Sequence, residues 1–166
     1  MKKHLFLVLL LTFVGIECHA QTLQQADSLH ELGRVLLGEN KIAEGKECTR
    51  QAMEIRKQLL GEVSEDYITS LNNYALALGM EENYSEAIRL QSQVLKLCDK
   101  LKTPHKNLGI YTMNMGRYYF IIDDYANAAN YFDKALPLVE KHGEIYEKML
   151  EWIGLCYTEL NDSKNI

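Results

Sequence analysis

From Ser70 to Leu97 apolar and polar positions follow a helical period that is interrupted once. Leu71, Tyr74, Ala75 and Leu78 recur at the three- and four-residue spacing of a single helix face. Glu81, Glu82 and Asn83 break the pattern, and Tyr84 and Ser85 open a second run through Ala87, Ile88, Val94, Leu95 and Leu97. The stretch predicts two amphipathic helices joined by a polar turn. Ala75 and Ala87 sit where such helices cross most closely.

The unit recurs on both sides. Upstream, Leu29, Leu32, Gly33 and Leu36 take the places of Leu71, Tyr74, Ala75 and Leu78. Asn40, Lys41 and Ile42 form the turn, and Gly45, Ala52 and Met53 replace Ala87, Val94 and Leu95. Downstream come Thr112, Met115, Gly116 and Tyr119, then Asp123, Asp124 and Tyr125, then Ala128, Phe132, Ala135 and Leu136. A fourth copy opens with Leu150, Ile153, Gly154 and Tyr157 and reaches its turn at Asn161 and Asp162. Gly33, Ala75, Gly116 and Gly154 are spaced by 42, 41 and 38 residues. A period of this size marks a stacked array, in which each hairpin buries one face internally and leaves the rest to its neighbour. Leu71, Tyr74, Leu95, Met115 and Phe132 are the expected continuous core.

These residues resemble the tetratricopeptide repeat (TPR) family. The third copy carries the family pattern best, with the apolar-Gly pair Met115-Gly116, then Tyr119, Ala128, Phe132 and Ala135. Gly45 and Ala75 are small-residue swaps, and the family's closing Pro is absent from each copy. The resemblance implies an all-α, right-handed solenoid of about 3.5 hairpins, with repeats at about 26–66, 67–103, 104–143 and a partial 144–166. The long period is similar to that of kinesin light chain repeats. The phrase GEVSEDYITSLNNYALALG is also similar to bacterial repeats that precede caspase-like peptidase domains or sensor-kinase modules.

The chain begins differently. Lys2 and Lys3 precede an apolar run of 12 residues, Leu5 to Ile16, and Cys18-His19-Ala20 offers a small-x-small cleavage site before Gln21. A spanning helix needs about 20 apolar residues, so residues 1–20 read as a cleaved signal peptide. Glu17 stands where a lipoprotein signal at Cys18 wants a small residue; an uncleaved anchor helix is the remaining alternative. Residues 21–25 read as a frayed lead-in. The chain is expected to be exported, with a periplasmic or extracellular destination and no membrane insertion after cleavage.

Boundary chemistry follows the same reading. Gly61 suits a helix end, Ser64 with Glu65 and Asp66 suits a helix start, and Thr103-Pro104 and Gly143-Glu144 mark the next starts. The residues beyond the ordinary period are assigned to lengthened second helices and their linkers. The fourth repeat has no second helix in the sequence, which leaves Trp152, Leu155 and Leu160 on an uncapped last helix. A marginal cap, a continuation into a longer polypeptide and a homodimer through that helix all remain open.

Charge and chemistry narrow the function. The formal charge of −5 becomes −6 without residues 1–20, which hold two lysines and one glutamate. That balance gives no reason for binding nucleic acid or anionic lipid. His30, His105 and His142 lack metal-ligand spacing and read as surface or groove residues; no metal or cofactor is expected. Cys48, Cys98 and Cys156 form no CxxC pair and read as half-buried, although Cys156 near the open end could join two chains. Asp123 and Asp124 read as turn and capping residues rather than a catalytic pair.

What remains is a surface. By the resemblance, the first helix of each hairpin lines a concave groove. The inward residues are then His30, Arg34, Asn72, Asn73, Leu76, Met113, Asn114, Arg117, Glu151 and Leu155. Asn73 and Asn114 stand in equivalent positions, and in the family Asn there holds the backbone of an extended peptide through its donor and acceptor. Arg34 and Arg117 would add carboxylate contacts. The expectation is a non-catalytic scaffold that binds a peptide or partner helix. The alternative is the docking segment of a longer sensor-kinase or caspase-like polypeptide.

Overall fold

The structure, a computed structural model, describes residues 22–162, so the signal-peptide reading lies outside the described residues. The helices are α1 (22–38), α2 (Ile42–Leu60), α3 (Glu65–Met80), α4 (Tyr84–Cys98), α5 (Leu108–Ile121), α6 (Tyr125–Ala135) and α7 (Glu144–Asp162). From α2 onward each helix packs on the next in the chain, and α3 also reaches α5. Hairpins α1–α2, α3–α4 and α5–α6 thus stand in series, with α7 laid against α6. No strand occurs among the described residues.

Small residues set the crossings. A Cβ added at Gly33 would lie 2.7 Å from Thr49 Cγ2, and one at Gly116 would lie 2.7 Å from the Phe132 ring. Ala75 and Ala87 are wholly buried in one cluster. Leu71, Met115 and Phe132 are buried, while Tyr74 and Leu95 pack on the core from its edge. Met53 of α2 also packs on the core of the second hairpin, which is how consecutive repeats are joined.

The three hairpin turns share one backbone shape. Asn40, Glu82 and Asp123 have φ of 62°, 62° and 61°. In each turn the next N–H reaches back to a carbonyl five residues earlier: Lys41 to Leu36, Asn83 to Leu78 and Asp124 to Tyr119, all at 2.9 Å. This is the helix-ending motif with a left-handed residue at its corner. Its acceptors are the residues that close the apolar stripe in each copy. The side chains of Asn83 and Asp124 then cap α4 and α6, accepting from Glu86 N and Asn127 N. Ser64 caps α3, and Gly61 ends α2 with φ 79°.

Four expectations are corrected. Residues 22–25 are helical rather than a frayed lead-in: Ala26 is wholly buried, and Ser28 Oγ donates to the Gln24 carbonyl one turn back. Leu32 is 49% exposed, and Leu37 takes the inner position against Gly45. Helix α5 starts at Leu108 and not at Thr103-Pro104, because a buried His105 ties down the preceding loop. The second helix of the third hairpin, α6, is not lengthened. It has 11 residues, and Pro137, which lacks an N–H to continue the helix, falls in the 3-10 turn Leu136–Leu138 that follows.

Candidate peptide-binding groove

The predicted groove residues divide into a buried set and an accessible set. Asn72 of α3 and Asn114 of α5 are each 6% exposed, and Met113, next to Asn114 in sequence, is buried as well. Asn72 Oδ1 accepts from Gln91 Nε2 and from Asn114 Nδ2, both at 3.1 Å. Asn72 Nδ2 donates to Asn73 Oδ1 at 3.3 Å, and Gln91 Nε2 also donates to the Tyr111 carbonyl at 2.9 Å. The amides therefore hold α3, α4 and α5 to one another. Buried amide groups favour hydrogen-bonded positions, and here the bonds run both within the second hairpin and across to α5, while Gln91 Oε1 has no partner among the described residues. The expectation that Asn72, Met113 and Asn114 face a ligand is corrected accordingly.

Half-buried or exposed positions are His30, Arg34, Asn73, Leu76, Arg117, Glu151 and Leu155. Arg34 is held by Glu31 of its own helix through two hydrogen bonds, at 3.1 and 2.5 Å. Its guanidinium is thereby already engaged. Arg117 differs: its guanidinium carbon lies 5.8 Å from the centre of the Trp152 ring. Arg34, Arg50, Arg56 and Arg89 each pair with a carboxylate among the described residues, and Arg117 does not. Beside it lies a cavity of about 200 Å³ lined by Arg117, Phe120, Ile121, Phe132 and Trp152. Small-molecule sites usually run to about 300–1,000 Å³, so this hollow is sized for a side chain. Periodicity alone gave no sign of it, because Trp152 and Phe120 belong to different repeats.

Two further polar clusters tie consecutive hairpins together. His105, expected at the surface or groove, is 3% exposed and rests on Tyr111 with ring centres 5.0 Å apart. Its Nδ1 accepts from Asn107 N at 3.1 Å, and Thr69 Oγ1 lies 3.3 Å from Nε2 while accepting from the Tyr111 hydroxyl at 3.1 Å. In the first hairpin, buried Arg56 donates to Ser70 Oγ (2.8 Å), the Asp66 carbonyl (3.2 Å) and Asp27 Oδ1 (2.7 Å). His30 stands 3.5 Å from Ser70 Oγ on the same junction.

Burial, and then the charge of Arg56, lower the His30 pKa below 6.5. The unfolded chain therefore takes up this proton first, and folding loses stability as pH falls through the ordinary imidazole range. Thermal unfolding of His30→Gln should show a smaller drop between neutral pH and pH ~5.5 than the parent chain. Equal drops would show that His30 does not contribute.

Burial also pushes the Cys98 thiol up to about 11 and raises that of Cys156. Both are buried and unpaired, and Cys156 is wholly enclosed. The expectation that Cys156 could join two chains is corrected, since it faces the third-hairpin core.

The tetratricopeptide repeat family matches residues 24–100 in sequence. No curated protein matches the chain. Solved structures do match in shape. BtubC (BKLC) from P. vanneervenii has a TM-score of 0.72 at 16% identity, covering 82% of this chain and 57% of its own. This chain thus spans little more than half the length of that protein. A kinesin light chain-like protein of nearly identical TPR-like repeats from Podosopora anserina gives 0.73 at 17% identity, covering 86% and 70%. The C-terminal TPR-containing domain of a Plasmodium falciparum FK506-binding protein gives 0.67 at 19% identity, covering 89% and 96%. At these identities the structures speak for the fold, and the sequence match speaks for the family. Residues 24–100 thus match the tetratricopeptide repeat family in sequence, and the third hairpin beyond them repeats the same turn shape and small-residue crossing, which is consistent with that family.

Proposed function

We propose that the chain is exported and serves as a scaffold that binds an extended peptide of a partner protein. Tetratricopeptide repeats generally act as non-catalytic protein-interaction scaffolds. The leader-like Lys2-Lys3, Leu5–Ile16 and Cys18-His19-Ala20 support export to the periplasm or beyond. The observation that carries the binding site is Arg117. A guanidinium with no carboxylate partner among the described residues, held over Trp152 at the edge of an apolar hollow, suits a partner that brings an acid beside an apolar side chain. Asn73 and Leu76 supply polar and apolar contact on the preceding repeat.

A screen of extended peptides with an apolar residue next to Asp or Glu should yield binders to the full chain. Arg117→Ala should then weaken the best of them by about 10–100-fold, the worth of a charge-assisted hydrogen bond. Unchanged affinity would place the peptide elsewhere.

A second reading is the docking segment of a longer signalling or peptidase polypeptide. It is favoured by the apolar residues that α7 leaves exposed, Leu150, Leu155 and Tyr157. The mass of the native polypeptide decides it: a species near 17 kDa (the 19.1 kDa chain less about 2 kDa for residues 1–20) supports the scaffold, and a far larger one supports the segment.

A further inference from the structure

Helix α7 repeats the apolar stripe of the other first helices but leaves it open. Leu150, Gly154 and Tyr157 stand in register with Thr112, Gly116 and Tyr119 of α5. On α5 the glycine is met by Phe132 of the following helix, whereas a Cβ added at Gly154 would touch nothing within 4 Å. Leu150 is 42% exposed and Tyr157 is 50% exposed. The buried side of α7 lies next to this stripe: Met149 and Cys156 are enclosed, Trp152 and Ile153 pack on the third hairpin, and the Tyr157 hydroxyl at the border donates to Asp133 Oδ2 of α6 at 3.3 Å. The third hairpin shows what fits such a stripe, namely a helix with the apolar ring of Phe132 seated over the glycine.

Charge says which helix. The five acids Glu144, Glu147, Glu151, Glu159 and Asp162 share α7 with a single base, Lys148. Glu147 continues the open stripe one turn before Leu150, and Glu151 flanks it. A second copy would set acid against acid, which disfavours pairing through this face.

We propose that the Leu150–Gly154–Tyr157 face of α7 docks a basic amphipathic helix of another protein, with one bulky apolar side chain over Gly154 and Lys or Arg alongside Glu147 and Glu151. This site is distinct from the Arg117 hollow and does not depend on the peptide reading.

The test uses the full chain as its host cell processes it, with Trp152, its sole tryptophan, as the reporter on α7. The probes are designed helical peptides with the Ala128–Phe132–Ala135 spacing of α6, with either Lys or Glu at the flanking positions. The Lys peptide should bind at least ~10-fold tighter than the Glu peptide at low salt, and the gap should close as salt rises. Gly154→Leu, placed in open space and so compatible with the fold, should abolish binding of the Lys peptide. Equal affinity of the two peptides, or binding that survives Gly154→Leu, would overturn the proposal. A native assembly in which this face is covered by a second copy, or by a longer stretch of the same polypeptide, would overturn it as well.

Discussion

Phe132→Ala is expected to lower stability by about 3–5 kcal/mol, as for a large aromatic removed from a close-packed site. Phe132 is wholly buried, its ring lies against the bare backbone of Gly116, and it stacks on Trp152 with centres 5.3 Å apart. One side chain thus closes the third hairpin and seats α7 on it. Gly116 has no side chain to fill the void, so the site can relax only by moving a helix. Urea unfolding followed by circular dichroism gives the loss, and Trp152 fluorescence reports α7 independently. The expected result is an early α7 signal followed by a weakened global transition. A change under about 1 kcal/mol with coincident signals would mean that the crossing is not held by this contact.

Asn72→Ala is expected to cost about 2–4 kcal/mol, more than its modest volume suggests. The substitution strands the Asn114 amide and removes one of the two acceptors of Gln91 Nε2 in a buried setting. Asn114→Ala should cost less, because Asn72 Oδ1 keeps its bond from Gln91. The double variant should be less unstable than the sum of the two, with a coupling of about 0.5–3 kcal/mol in a denaturation cycle. If both variants keep parental stability and instead lose peptide binding, these amides face a ligand and the structural assignment fails.

The crossings were legible because they depend on residue size at a fixed spacing. Gly33, Ala75 and Gly116 announce themselves in one dimension, as do Ala87 and Phe132 opposite them. Ser64 and Gly61 were legible too, since capping is local chemistry. The amide ladder was not. A polar residue off the apolar stripe is normally solvated, and only the stacking of repeats reveals that Asn72 and Asn114 meet each other. His105 misled for the same reason: its partners Thr69 and Tyr111 belong to different repeats. Periodicity describes a helix relative to its own axis, so it identifies the face that closes a hairpin better than the face that meets the next one.

The common turn at Asn40, Glu82 and Asp123 has an evolutionary consequence. Since each reversal uses the same left-handed corner and the same reach-back bond, a hairpin carries its own geometry with it. Duplicating or deleting one unit would need no new loop chemistry, only matched surfaces at the two joints. The amide bridge between α3 and α5 makes that particular joint exacting, while the α6–α7 joint, where Phe132 meets Trp152 and Met149 and Cys156 are enclosed, is apolar and more permissive. Change in the length of this array is therefore easiest at its C-terminal side, where whole repeats could be gained or lost while the second hairpin keeps its partners.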